Sequence, residues 1–88
     1  MVVVATKSFS KDISKIRDKK LIGKIENAIR NIEKVRTIME ISGIKKMEGS
    51  TNAYRVRIGD YRLGFYLLNE TVQLTVFANR RDIYKLFP

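Results

Sequence analysis

The sequence predicts an α+β fold of the order β-α-α-β-β-β(-β), two N-terminal helices packed on one face of a small, mainly antiparallel sheet, with a short helical turn at the C-terminus. Three observations predict it. Residues 54–66 alternate apolar and basic side chains around Gly59-Asp60, the mark of a two-residue hairpin. After Asp18, apolar side chains recur at helical spacing: Leu21, Ile25, Ala28, Ile29, Ile32 and Val35. Residues 72–78 alternate again, reached through a second tight connection at Asn69-Glu70. Residues 1–88 are expected to form a single domain, which at this length buries roughly 60–65% of its unfolded surface.

The opening run Val2 to Thr6 is β-branched and reads as a strand. Ser8 or Ser10 caps a short helix that includes Ile13 and Ile16, and Asp18 caps the longer one. Gly23 weakens that second helix by about 1 kcal/mol relative to alanine without breaking its pattern. Its charges, among them Lys20, Lys24, Arg30 and Lys34, read as a solvated face. Ile38 and Ile41 either extend the helix or fold into a turn ended by Ser42-Gly43. Ile44 to Glu48 is a short strand, and Gly49 to Asn52 a loop. In the last strand Val72, Leu74, Val76 and Ala78 are expected to point inward, and Gln73, Thr75 and Phe77 to share the face of the hairpin arginines. Asp82 stands early in a terminal helical turn.

The hairpin carries the functional signal. A two-residue turn fixes register, setting Ile58 opposite Tyr61, Arg57 opposite Arg62, Val56 opposite Leu63, Arg55 opposite Gly64 and Tyr54 opposite Phe65. One face then carries Tyr54, Val56, Ile58, Tyr61, Leu63, Phe65 and Leu67, a core face. The other carries Arg55, Arg57, Arg62, Gly64 and Tyr66. Opposed like charges destabilise a sheet, and a mid-strand glycine leaves a gap where something approaches the backbone. Two readings of that face follow: a solvated outer surface, or a guanidinium cluster around a notch that suits a phosphate-bearing ligand.

Composition narrows the classes. The chain has no cysteine and no histidine. A disulfide framework, a thiolate metal site and the usual general base are thereby excluded. Eighteen Lys+Arg against nine Asp+Glu give a formal charge of +9, which favours nucleic acid, an acidic protein or an anionic membrane. The charge is spread through the fold and not held on one amphipathic helix, so the membrane is the poorest of these. Apolar runs span only a few residues, too short for a membrane span or signal peptide, and a cytoplasmic location is expected.

Lys45 to Gly49, the hairpin from Tyr54 to Phe65, Asn79-Arg80-Arg81-Asp82-Ile83-Tyr84 and the terminal Phe87-Pro88 together give the chain a familiar outline. Over nearly all its length it resembles the RelE/ParE-type toxins of bacterial and archaeal toxin–antitoxin pairs, the RelE branch more closely. The resemblance implies a RelE-like fold and a metal-independent endoribonuclease that enters the ribosomal A site and cuts messenger RNA, with no cofactor. It implies a cognate acidic antitoxin, the ribosome and its message as partners, no membrane, and DNA only indirectly through the antitoxin. The family's basic pair on the first hairpin strand falls on Arg55 and Arg57, its return-strand arginine on Arg62, and its C-terminal basic residue and tyrosine on Arg80 or Arg81 and Tyr84. Family members often carry lysines at the positions of Arg55 and Arg57, and close relatives histidine at Asn79.

Arginine is a planar fork of donors that stays charged, suited to clamping phosphate and unsuited to taking protons. Arg57, Arg62, Arg80 and Arg81 are therefore candidates for transition-state stabilisation, with Arg55, Lys45, Lys46 and Tyr66 as substrate contacts. Tyr84 is the remaining candidate for proton transfer; stacking on a base, or packing as a C-terminal anchor, are its other readings. Two further functions stay open: a ParE-like protein that inhibits DNA gyrase by binding, and a nucleic-acid-binding module without catalysis.

Overall fold

Gly59 adopts φ +58° while Asp60 stays out of the positive-φ region, the signature of a type II′ hairpin turn. It joins strands β3 (Ala53–Ile58) and β4 (Tyr61–Leu68) in the register that the sequence dictates, from Ile58 opposite Tyr61 to Tyr54 opposite Phe65. The computed structural model describes residues 1–88. The remaining strands are β1 (Val2–Ala5), β2 (Ile44–Lys46) and β5 (Thr71–Asn79). They form one five-stranded sheet in the order β1-β5-β4-β3-β2, with β1 parallel to β5 and all other pairs antiparallel. The fold is thus the predicted α+β arrangement.

Helices α1 (Lys7–Ser14) and α2 (Lys19–Lys34) cover one face of this sheet. The cap of α1 is Thr6, not Ser8 or Ser10. Its Oγ1 accepts from the Phe9 amide at 3.2 Å and donates to the Leu74 carbonyl at 2.8 Å. The helix therefore starts where β1 is already tied to β5, a long-range constraint that local capping preference does not contain. Asp18 caps α2 as expected, accepting from the Lys20 and Leu21 amides. The stripe of Ile25 and Ile32 buries against Val56, Leu63, Phe65 and Leu74. Ile38 and Ile41 close this core from a 3₁₀ turn (Ile38–Glu40). No helix is long and apolar enough to cross a membrane.

Strand β5 departs from simple alternation. Phe65 pairs with Leu74, yet Gly64 pairs with Val76, so Thr75 is an extra, bulged residue. Beyond it every side chain changes face. Phe77 joins the helix-side core and stacks on Tyr61 at 5.1 Å, while Val76 turns to the arginine side. Ala78, paired with Arg62, shares that side. The expected inward set was right for Val72 and Leu74 and wrong for Val76, Ala78 and Phe77. β1 has ended at this level, and the exposed edge of β5 is met by Asp12 of α1, whose Oδ2 accepts from the Phe77 amide at 3.0 Å.

The flip builds a second, smaller core on the far face. Met47, Ala53, Val76, Ile83 and Phe87 are buried together there, with Tyr66 and Ala78 beside them. The terminal turn α3 (Ile83–Leu86) is docked by it.

Candidate functional site

Gly64 was expected to leave a gap open to a ligand. The gap exists, but the chain fills it: a Cβ at Gly64 would lie 2.6 Å from Val76 Cγ1 and 2.8 Å from Phe87 Cδ2. Phe87 is 2% exposed, and its ring also meets Tyr66 edge-on at 5.0 Å. Tyr66 accordingly helps seat the C-terminal segment. Phe87 and Ile83 are the residues sequence reasoning missed; the signal was a mid-strand glycine together with an aromatic side chain, Phe87, in the segment after β5.

That anchoring brings the C-terminal candidates to the hairpin. The Arg80 amide donates to the Asp60 carbonyl at 2.9 Å, pinning the segment beside the hairpin turn. Asn79 shapes the exit: its Oδ1 accepts from the Arg81 amide at 3.0 Å and its carbonyl from the Asp82 amide. Tyr84 stands on the docked turn with 62% of its surface exposed, its phenol ring free of the small core that holds Ile83 and Phe87.

Arg62 reports the convergence. Its pKa is pushed below the ordinary arginine value, first by burial and then by the charges of Arg55 and Arg57, with Tyr84 opposing them and Arg80 adding to them. Five of the predicted residues thus gather at one place, drawn from β3, β4 and the C-terminal segment. Of the pair left open by the sequence, Arg80 is the one whose charge acts on Arg62; both Arg80 and Arg81 are exposed. Arg62 folds back on the turn, Nη1 donating to the carbonyls of Gly59 and Tyr61 at 3.0 and 2.9 Å. Arg55 is held by Nη1 on the Gly43 carbonyl at 2.9 Å, while its Nε is buried and meets no acceptor in the protein. Arg57 is exposed. Such a cluster carries concentrated positive charge with most donors unspent, an arrangement that favours an anion with several oxygens.

Beside the cluster runs a cleft of about 470 Å³ lined by Lys45, Lys46, Met47, Glu48, Tyr84, Phe87 and Pro88. Lys45 pairs with Arg55 and shares its face, whereas Lys46 pairs with Tyr54 and emerges from the opposite side of β2. Both border the cleft.

No protein-family model matches the chain. It is 29% identical to Toxin RelE3 of Methanocaldococcus jannaschii, an alignment of 89 residues spanning the whole of both proteins. Among solved structures it resembles the RelB-RelE antitoxin-toxin complex from Methanococcus jannaschii, with a TM-score of 0.80 and 27% identity over 97% of this chain and 99% of the other. The Staphylococcus aureus YoeB dimer shares the fold, with a TM-score of 0.75 and 18% identity over 91% of this chain and 97% of the other. Full-length similarity in sequence is thus joined to the same arrangement of helices and sheet, and in both respects the chain resembles the RelE toxins.

Proposed function

We propose that this chain is the toxin of a type II toxin–antitoxin pair and acts as a ribosome-dependent endoribonuclease, cutting messenger RNA in the ribosomal A site. The observation that carries the reading is the gathering of Arg55, Arg57, Arg62, Arg80 and Tyr84 beside an open basic cleft. RNA supplies its own nucleophile. The 2′-hydroxyl oxygen attacks the adjacent phosphorus in line, the bond from phosphorus to the 5′-oxygen breaks, and a 2′,3′-cyclic phosphate remains. The 2′-hydroxyl gives up its proton and the departing 5′-oxygen takes one up.

Two tasks fall to the protein: holding the in-line geometry and stabilising charge on the phosphoryl oxygens. Arg57, Arg62 and Arg80 clamp the phosphate, with Arg55 as an outer contact and Arg81 as a weaker one at the exposed rim. Lys45 and Lys46 border the path of the flanking nucleotides, while Tyr66 holds Phe87 in place. Tyr84 carries the only exchangeable side-chain proton among the clustered residues outside the guanidinium groups, and it serves as the proton-transfer group. The ribosome presents the message stretched in the A site, so the toxin itself need hold only the nucleotides at the cut. A +9 chain with this face exposed needs an acidic antitoxin to silence it, and a structurally similar archaeal toxin was solved bound to its RelB antitoxin.

Primer extension on messages recovered from cells expressing the chain tests the reading. Cuts within translated regions, lost with Arg62→Ala, are expected. Double-strand breaks at gyrase sites with intact messages would overturn it in favour of gyrase inhibition.

A further inference from the structure

The cleft beside the arginine cluster contains one acid. Glu48 lines it together with Lys45, Lys46, Tyr84 and Pro88, and with the buried Met47 and Phe87. The turn that presents Glu48, between β2 and β3, is tied at several points. The Met47 amide donates to the Ala53 carbonyl at 2.8 Å, and Ser50 Oγ accepts from the Asn52 and Ala53 amides at 3.3 and 3.0 Å. Gly49 reverses the chain directly after Glu48 at φ +77°. Asp12, Asp18 and Glu40 each spend a carboxylate oxygen on backbone amides. Glu48 is exposed and makes no such bond.

A carboxylate is misplaced in a groove that serves only phosphates. It repels the same backbone that Lys45, Lys46 and the arginines attract, so its favourable contact has to be with a base. Tyr84 fixes which base. It belongs both to the cleft and to the cluster acting on Arg62, so a base lying in the cleft belongs to a nucleotide beside the cut.

We propose that Glu48 selects guanine at that nucleotide, its two carboxylate oxygens accepting from N1–H and N2–H of the Watson–Crick edge. The inference rests on the ribonuclease reading and deepens it by naming a base. Guanine alone offers two adjacent donors on that edge. Adenine and cytosine each present one amino group beside a ring nitrogen that accepts. Uracil presents N3–H between two carbonyl oxygens, which a carboxylate repels. An unpaired message leaves this edge open to a side chain. Pro88 and the ring of Tyr84 supply apolar surface at the cleft wall.

The test uses the full chain and ribosomes loaded with synthetic messages that differ at one nucleotide, on either side of the cut in turn. That nucleotide carries guanine, adenine, cytosine, uracil or hypoxanthine, which is guanine without its 2-amino group. The parent should cut the guanine message roughly tenfold faster than the adenine, cytosine and uracil messages, the scale of one bidentate contact to a base. Hypoxanthine, with N1–H alone, should fall between. Glu48→Ala should cut the guanine message about tenfold more slowly than the parent and the uracil message no more slowly, so that the preference disappears. Glu70→Ala, an equal charge change at an exposed position between β4 and β5, should keep the parental preference. A guanine preference that survives in Glu48→Ala belongs to the ribosome and overturns the proposal. An effect of Glu48→Ala that is equal for every base also overturns it, because the acid then only offsets the charge of Lys45 and Lys46. Either result leaves the ribonuclease reading standing. Failure of the parent to cut any of these messages overturns both.

Discussion

Phe87 and Gly64 fit as plug and socket: the ring fills the space where any other residue at position 64 would carry its side chain. The contact fixes the turn on which Tyr84 rides, and it lies on the same face as Arg62. The glycine is thus required by the folded chain itself, and in the proposed activity its role is indirect.

Gly64→Ala should therefore lower stability and activity together. A Cβ 2.6 Å from Val76 and 2.8 Å from Phe87 forces both to move, and overpacking of this kind costs roughly 1–3 kcal/mol. Urea unfolding should show a midpoint shifted down, and cleavage should fall because Tyr84 and Arg80 leave the cluster. Phe87→Leu in the Gly64→Ala background should recover part of both losses. Two penalties that simply add would show that the residues do not share the space.

Arg62→Ala should separate stability from chemistry. Burial and three like charges all disfavour the ionised form of Arg62 in the folded chain, so its removal relieves repulsion even as two hydrogen bonds to carbonyls are lost. The melting temperature should match or exceed that of the parent, while cleavage falls roughly 10²–10³-fold, the range for losing one transition-state donor. Added sulfate should stabilise the parent more than the variant. A variant that unfolds readily, or that cleaves at the parental rate, would remove Arg62 from the clamp.

Tyr84→Phe keeps the ring and removes the hydroxyl. The side chain is largely exposed, so stability should be unchanged. Cleavage should fall with ribosome binding retained. Full activity would assign Tyr84 to stacking.

Asp12→Ala leaves the Phe77 amide without its 3.0 Å partner. An orphaned, partly buried donor costs about 1–3 kcal/mol, measurable by denaturant unfolding. Asp12→Asn retains a carbonyl oxygen at the same place and should recover most of the loss.

Much of this was legible in the sequence where local rules leave no freedom. A two-residue turn allows one register, so the faces of β3 and β4, and the meeting of Arg55, Arg57 and Arg62, could be read directly. Asp18 and the α2 stripe were equally local. The faces of β5 were not, because Thr75 bulges and nothing in Leu74-Thr75-Val76-Phe77 announces an extra residue; both alternations place apolar side chains on a core. Thr6 was missed as a cap because its partner is Leu74, far along the chain. Which of Arg80 and Arg81 stands beside the hairpin turn depends on the Asn79 turn and the Asp60 carbonyl, contacts that exist only once the terminal segment is docked.

The extra residue in β5 has an evolutionary consequence. By giving a small sheet apolar contacts on both sides, it makes the surface proposed to bear the chemistry also a surface that holds the protein together. Inactivating mutations should then divide into two kinds. On the proposed function, loss of an exposed guanidinium should leave a well-folded decoy that still binds antitoxin and so arms any active sister toxin in the same cell. Damage to the socket yields an unfolded chain that competes for nothing.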